Sequence, residues 1–265
     1  MSGGSDSLAL LVLATCAGLT VTAVHVDHGL RPGSAAEAAV VRAAADRLGA
    51  SFRAERVAVV DGPNLEARAR NARRAVLPAG ALTGHTADDR AETLLLNLLR
   101  GAGPAGLAAP APGPTRPIVA LRRAECRELV ACCGLEVVAD PSNDDPRFRR
   151  NRVRHELLPL LEDIADRDVV PLLVRTADLL DGLDRFVADQ ASALDPTDAG
   201  ALRSVPEPVA AAALRSWLRT LNADRHPPDA ATIARVLDVV WLRRRATELP
   251  GGRRLARRAG ILHVE

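Results

Sequence analysis

The sequence predicts an α/β protein in which a doubly wound, mostly parallel sheet is followed by a smaller, mainly helical domain. Up to residue 162, short β-branched segments alternate with longer segments of helical periodicity, a pattern typical of a parallel sheet covered by helices. After that point the patterns are helical, apart from a small hairpin at the end. The 48% of hydrophobic residues can form cores for two modest domains. We therefore expect domains over 1–162 and 163–265.

Helix starts in the first domain are marked by Ser, Thr or Asn, and one helix end is marked by Gly. Thr86 and Asp89 have the spacing of a capping box, and Gly101 ends the same helix. The segment 101–117 is dense in Gly, Ala and Pro and is predicted to be a loop. The predicted helices are 5–17, 34–48, 64–77, 86–100, 121–133 and 146–161, and the predicted strands are 20–26, 53–60 and 81–84.

The second domain is predicted from three amphipathic segments and a glycine turn. The turn at Gly251 and Gly252 lies inside a predicted hairpin over 247–264. The predicted helices are 169–194, 208–221 and 229–240.

Charge in this chain is informative through its distribution and not through its sum. The formal net charge is only +2, and all 35 basic residues are Arg. Two clusters of Arg have the single sign that a phosphate backbone requires, although solvated helix faces would explain each cluster equally well. The first cluster consists of Arg147, Arg149, Arg150, Arg152 and Arg154, and the second of Arg243, Arg244, Arg245, Arg253, Arg254, Arg257 and Arg258.

The cysteines and the apolar segments indicate a cytoplasmic protein that does not enter a membrane. The four Cys have no zinc or redox spacing, since the last two, Cys132 and Cys133, are adjacent. The apolar run over 8–13 is too short to span a bilayer, and no signal peptide is recognisable.

The strongest chemical pattern is a glycine-containing loop that leads directly into an apolar helix. Two glycines allow the backbone to approach a phosphate closely, and the helix start supplies N–H groups and a positive dipole end. The acid in the loop suits a Mg²⁺ ion that accompanies the phosphates. An ordinary glycine-rich helix start would look the same. The residues are Ser2, Gly3, Gly4, Ser5, Asp6 and Ser7, with Asp6 as the candidate metal ligand.

Five further motifs follow in a fixed order. They are His-Val-Asp-His-Gly-Leu-Arg at 25–31, Gly-His-Thr-Ala-Asp-Asp-Arg-Ala-Glu-Thr at 84–93, Arg-Gly-Ala-Gly at 100–103, Asp-Pro-Ser-Asn at 140–143 and Arg-Asn-Arg-Val-Arg at 150–154. Together with the loop, they resemble the PP-loop ATP pyrophosphatases and, more narrowly, the tRNA(Ile)-lysidine synthase family. The resemblance covers about residues 1–160 and implies the adenine nucleotide alpha hydrolase-like fold.

The resemblance implies a two-step reaction that uses ATP and Mg²⁺. The ring carbonyl oxygen of a wobble cytidine attacks the α-phosphate of ATP, and pyrophosphate leaves. The ε-amine of free L-lysine then displaces AMP and forms lysidine. The implied partners are an isoleucine tRNA with a CAU anticodon and free lysine, and the helical second domain is expected to bind substrate or tRNA. The oligomeric state stays open, with a homodimer among the options.

The resemblance also indicates site residues, each with a simpler structural alternative. Asp27 and His28 end a strand and are expected to border adenosine, although such side chains are often structural or solvated. Asp88 and Asp89 are candidates for binding the amine and removing its proton, but Asp at a helix start also stabilises the helix dipole. His85 lies beside them, and Arg70 is expected to contact the reacting phosphate or the base unless it faces solvent. The expected tRNA contacts are Arg149, Arg150, Arg152 and Arg154.

Three departures from the family pattern leave other functions open. In this fold the loop follows a first, central strand, and we expect that strand to be missing here. Arg74 and Arg90 stand where the family usually has Tyr and Gln. The alternatives are another PP-loop enzyme, such as a tRNA thiolase, or a non-catalytic remnant that binds tRNA or nucleotide.

Overall fold

The computed structural model describes most of the chain, in two compact units. The described residues are 1–27, 34–57, 68, 72, 75–108, 112–140, 142, 144–222 and 227–265. The units are Met1–Leu179 and Leu180–Glu265. The domain boundary that we predict at residue 162 lies inside the first unit, and the functional division at that point stays a prediction.

The sheet of the first unit is parallel, which confirms the predicted α/β class. Strands β1 (Thr22–Asp27) and β2 (Ser51–Arg56) pair in parallel with Thr22 opposite Ser51. They are connected through helix α2 (Ser34–Arg47), as parallel strands require a crossover. The predicted helix over 64–77 falls mostly outside the described residues.

The strand that we predict over 81–84 is wrong. Here the backbone N–H of Thr83 donates to the carbonyl of Thr115 at 2.9 Å and that of Ala81 to the carbonyl of Pro78 at 3.1 Å, and the segment forms no strand. A β-strand requires a hydrogen-bonded neighbour over several residues, and within the described part of the chain β1 pairs with β2 alone. The β-branched and apolar composition of a short segment therefore did not suffice to make it a strand.

Helix α1 (Ser5–Cys16) is apolar around most of its surface because it is packed on several sides. Its buried residues include Leu8 and Leu11, both at most 2% exposed. It packs against α5 (Arg123–Cys132) and shares a core cluster with Val41 of α2 and Val130 of α5. This packing fixes the start of α1, where the glycine loop lies.

A second core cluster forms around α3 (Ala87–Leu98), which begins at the predicted capping box. Helix α4 (Pro104–Leu107) follows α3 inside the predicted loop. Leu94 and Leu95 of α3 pack with Val153 and Leu158 of the following helical segment. That segment consists of α6 (Arg149–Arg152), a π-helical turn (Val153–Leu157) and α7 (Leu158–Ala165), followed by α8 (Val170–Ser192).

The second unit contains helices and one small antiparallel sheet. Its core includes Leu202, Leu214, Val236 and Leu255, all fully buried. The predicted hairpin is a three-stranded sheet in the order β3-β4-β5. The elements are α9 (Ala199–Arg203), α10 (Glu207–Leu221), α11 (Ala230–Val240), β3 (Ala246–Glu248), β4 (Arg254–Arg258) and β5 (Ile261–Val264). Across the described ranges of both units, no helix has the length and apolarity needed to cross a membrane.

Candidate active site

The glycine loop is held in one backbone conformation by its neighbours. Gly3 has a φ of +76°, and a Cβ there would lie 2.5 Å from the Cγ2 of Val138. The backbone N–H of Val138 donates to the carbonyl of Gly3 at 3.0 Å. Gly4 is the N-cap of α1, so N–H groups of the first turn face the loop, although that of Ser7 already donates to the carbonyl of Gly4 at 3.1 Å. This is the arrangement that binds phosphate groups in many proteins.

Gly84 lies directly against the backbone of this loop. A Cβ at Gly84 would lie 2.8 Å from the carbonyl oxygen of Asp6 and 3.1 Å from the backbone N of Ser7. Only glycine therefore allows this close approach. The contact places His85, the next residue, beside the loop. Gly84 opens the motif that contains His85, but nothing in that motif indicates the contact with the loop.

One cavity of about 1630 Å³ brings most of the predicted site residues together. Among the other candidates, Asp27 is the last residue of β1 and does not line the cavity. The same is true of Asp88, Arg149 and Arg152. His28 and Arg70 lie outside the described residues. The predicted residues that line the cavity are Ser2, Gly4, Ser5, Asp6, Ser7, His85, Asp89, Arg150 and Arg154.

Arg123 connects the loop with helix α3, although it is not among the site residues that the sequence predicts. Its NH1 lies 3.0 Å from Oε1 of Glu92, and its NH2 lies 3.1 Å from Oδ1 of Asp89. Its Nε lies 3.5 Å from Oδ2 of Asp6 in the loop. The side chain is only 12% exposed. Burial lowers the pKa of Arg123, but the carboxylates of Glu92 and Asp89 outweigh burial and raise it, so the guanidinium stays charged. The sequence carries no signal for Arg123 beyond its position at a helix start.

Glu92 is the most buried member of this network. Its side chain is 0% exposed and accepts hydrogen bonds from Arg150 Nε and Arg154 Nε, both at 2.7 Å, besides the ion pair with Arg123. Burial raises the pKa of Glu92, whereas the three guanidinium groups lower it more strongly. The signal for Glu92 is its position three residues after Asp89, which places both carboxylates on one face of α3.

Asp89 caps its helix and pairs with two arginines. The backbone N–H of Thr86 donates to its Oδ2 at 2.8 Å, which completes the predicted capping box. Its Oδ1 accepts from Arg123 at 3.1 Å and from Arg150 at 2.9 Å. Burial raises the pKa of Asp89, but Arg150, Arg123 and the Thr86 N–H outweigh burial and lower it. A carboxylate with this pKa and these partners is a weak proton acceptor and a strong charge partner.

Asp88 has different partners from its neighbour. Its Oδ2 accepts from the backbone N–H of Arg123 at 2.7 Å and from Nε of Arg122 at 3.2 Å. Asp88 therefore fixes the start of α5, whereas Asp89 faces the cavity. The structure thus separates the two aspartates, which sequence analysis could not do.

The arginine cluster of α6 and the π-helical turn divides into an inner and an outer part. Arg150 and Arg154 are 24% and 21% exposed and bind the buried carboxylates. Arg149 is exposed, and Arg152 is 61% exposed and paired with Glu156. Direct contact of all four with RNA stays a prediction, and this geometry favours Arg149 and Arg152 for it.

Asp6 fits a Mg²⁺ ion that is bound mainly by phosphate oxygens. Burial raises the pKa of Asp6, and Arg123 opposes that shift. In the described ranges, this site included, no group of three or more His, Cys, Asp or Glu side chains could hold a metal ion by itself. A single carboxylate is sufficient where substrate phosphates and water complete the octahedral shell.

The network predicts a loss of stability in acid. The pKa values of Asp89 and Glu92 are lowered in the folded state, so each carboxylate stabilises the fold above its ordinary pKa of 3.8 or 4.5. This contribution is lost as the pH falls through the lowered values. Melting temperatures measured from neutral pH down to pH 3 should decrease more steeply for the parent than for Glu92→Gln. Equal slopes for the two proteins would contradict the ion-pair network.

Comparison with known proteins identifies the family. A family model described as a PP-loop domain matches residues 1–161. The tRNA(Ile)-lysidine synthase of Nocardia farcinica is 45% identical over 236 residues, which cover 82% of this chain and 74% of that protein. The tRNA(Ile)-lysidine synthase of Thermobifida fusca is 40% identical over 294 residues, which cover 99% and 89%. The chain belongs to the tRNA(Ile)-lysidine synthase family.

A solved structure shows how far this fold extends beyond the tRNA(Ile)-lysidine synthase family. The U34-tRNA thiolase NcsA from Methanococcus maripaludis, solved with its 4Fe–4S cluster, has a TM-score of 0.55 and is 18% identical, covering 68% of this chain and 70% of that chain. At this identity the likeness concerns the fold alone. In the present member of the family, Cys126 is buried in the core, and Cys16 and Cys132 are exposed.

Proposed function

We propose that this protein uses ATP to ligate lysine to the wobble cytidine of an isoleucine tRNA with a CAU anticodon. The family membership supports ATP-dependent tRNA modification. The observation that carries the proposal is Arg123, which joins the phosphate loop to the Asp89 and Glu92 face of the same cavity. Nucleotide, cytidine and amine would therefore meet in one space. The expected cytoplasmic location and the possible homodimer stay predictions.

In the first step, the loop and Arg123 bind the phosphates. The triphosphate lies at the start of α1, where N–H groups and the helix dipole favour negative charge. Mg²⁺, held by Asp6 and the phosphates, would neutralise charge on the departing pyrophosphate. The cytidine carbonyl oxygen forms a bond to the α-phosphorus while the bond to pyrophosphate breaks. Arg123 already faces Asp6 in the loop, so its guanidinium can stabilise the negative charge that develops on the departing pyrophosphate.

In the second step, the lysine amine forms a bond to the ring carbon, and AMP leaves with the oxygen. The amine arrives as an ammonium and must lose a proton first. Asp89 and Glu92 supply negative charge for the ammonium, and their lowered pKa values keep them ionised. We assign the removal of this proton to His85, which lines the cavity. Its Nδ1 lies 2.9 Å from Oγ1 of Thr83. This revises the sequence-based role of Asp89 as the base.

The proposal is tested by the incorporation of radiolabelled lysine into the tRNA transcript in the presence of ATP and Mg²⁺. Label should require ATP, lysine and the CAU anticodon. We expect Asp89→Asn to bind ATP but to lose at least about 100-fold in product formation, because charge stabilisation is among the largest catalytic effects. The matched control is Asp163→Asn, because Asp163 is exposed.

Each other outcome of this experiment has a definite meaning. Normal product formation by Asp89→Asn would refute the role of Asp89. ATP binding without release of pyrophosphate would indicate the non-catalytic remnant. Sulfur transfer from a persulfide donor in place of lysine incorporation would indicate a thiolase.

A further inference from the structure

Helix α8 carries an apolar stripe on the side that faces away from the core. Its core side includes Val170 and Ala177, which are both buried. On the opposite side, Leu179, Leu183 and Phe186 are each 60% to 63% exposed. Single exposed apolar residues are common on proteins, whereas a contiguous exposed patch marks an interaction surface. We call this stripe the α8 seam, which consists of Leu172, Thr176, Leu179, Leu183, Phe186 and Gln190.

The α8 seam has the spacing of a coiled coil. From Leu172 to Gln190, its members follow one another at intervals of four, three, four, three and four residues. This is the alternation of a and d positions in a heptad repeat, which keeps one narrow stripe turned toward a partner helix. A helix that only covers a core has a wider apolar face, and α8 already packs on its core through other residues. The spacing therefore indicates that a second helix with the same period covers the seam.

A second copy of α8 fits this seam when it runs antiparallel to the first. Each a position of one helix then meets a d position of the other, so Leu179 packs against Leu183 of the second copy, and Thr176 against Phe186. These layers, together with that of Leu172 and Gln190, share one two-fold axis beside Asp181. Contacts related by such an axis are self-complementary and close as a dimer.

The charges beside the seam favour this direction. Arg175 and Asp189 lie on the same flank, and each would face the other residue of the second copy across the two-fold axis. Both are exposed, and in the part of the chain that the structure describes neither forms an ion pair, whereas Arg185 pairs with Asp181. In a parallel pair, Arg175 would instead face the apolar side chain of Leu180. The charge pattern is thus complementary to itself only in the antiparallel arrangement.

Gly182 lies on the same flank, midway between Arg175 and Asp189. Glycine is unfavourable in the interior of a helix, and a Cβ at this position would meet no atom within 4 Å. Packing inside the chain therefore does not require glycine here. In the antiparallel pair, the two copies of Gly182 lie on either side of the two-fold axis, where the missing side chains allow the helices to approach closely.

We propose that the α8 seam binds the α8 seam of a second copy of this chain, with the two helices antiparallel and Leu179 and Leu183 at the centre of the contact. Four large apolar side chains from each copy form an interface of at most about 1,200 Å², which is the size of weak associations. The dissociation constant is therefore expected in the micromolar range. This surface does not depend on the proposed function.

The first test measures the mass of the full chain by sedimentation equilibrium at about 1 to 100 µM. The mass should rise with concentration from that of one chain toward that of two. Leu183→Asp should weaken the association by at least about 100-fold, because a carboxylate would be buried against Leu179 of the second copy. The matched control Leu160→Asp makes the same change at an exposed position of α7, and it should alter the association by less than about 2-fold.

The second test measures the direction of the two helices. Arg175→Glu and Asp189→Arg each place like charges opposite one another, so each single variant should associate about 10-fold more weakly. The double variant Arg175→Glu/Asp189→Arg exchanges the two charges and should return to within about 3-fold of the parent. Misfolding cannot produce this recovery, so the result does not depend on a loss of structure.

Three results would overturn the proposal. One is the mass of a single chain over the whole concentration range. Another is an equal effect of Leu183→Asp and Leu160→Asp, which would place the contact away from the seam. The third is a double charge variant that stays as weak as the single variants, which would contradict the antiparallel pairing. Because no catalysis is measured, failure of lysine incorporation would count against the proposed function alone.

Discussion

Glu92→Gln is expected to destabilise the first unit by about 3 kcal/mol, because three guanidinium groups lose their common buried partner. The carboxylate is 0% exposed, and Arg123, Arg150 and Arg154 all converge on it. Gln keeps the shape, but it removes the charge and replaces one of the two acceptor oxygens by an NH2 donor. The arginines are 12% to 24% exposed, so water can partly solvate their unpaired charges. The expected destabilisation is therefore near the lower end of the range known for removing one partner of a buried ion pair.

Denaturation by urea with an unchanged m value measures this effect as a shift of the midpoint. The matched control is Glu128→Gln, because Glu128 is exposed on α5. It should stay within about 0.5 kcal/mol of the parent. If Glu92→Gln were as stable as this control, the buried network would contribute nothing. We also expect Glu92→Gln to lose lysine incorporation, since the three arginines would no longer be held toward the cavity.

Gly84→Ala is expected to weaken ATP binding by about 10- to 100-fold, because the new methyl group would collide with the phosphate loop. Its Cβ would lie 2.8 Å from the carbonyl oxygen of Asp6, and that atom belongs to backbone which cannot rotate away. Overpacking of this kind typically costs about 1–3 kcal/mol, which is the same range as the expected loss of affinity. The dissociation constant of ATP, measured by calorimetry, gives the result directly.

The control for this change is Gly113→Ala, where a Cβ would meet no atom within 4 Å. That variant should bind ATP as the parent does. Equal affinity of Gly84→Ala and Gly113→Ala would show that the loop can move away from residue 84 without cost. In that case the loop would not be held rigidly for the phosphates.

The sequence by itself was sufficient for the fold class and the family. The spacing of apolar residues within each segment shows whether it is a strand or a helix. Because strands and helices alternate along the chain, the parallel α/β class was predicted correctly. The motifs around the glycine loop and around Asp89 are contiguous, so the family could be identified from them. The capping box at Thr86 was also predictable, because its two residues lie three positions apart in one helix turn.

Only the tertiary structure could decide the partners of each charged group. Arg123 lies 31 or more positions from Asp6, Asp89 and Glu92, and no local pattern connects them. The same holds for Arg150 and Arg154, which the sequence places in one row with Arg149 and Arg152 but the fold turns toward a buried carboxylate. The predicted strand at 81–84 would need a neighbouring strand to pair with, and the periodicity of a sequence does not show which segments pair. Local periodicity determines elements, whereas pairing of charges and strands depends on which distant segments the core brings together.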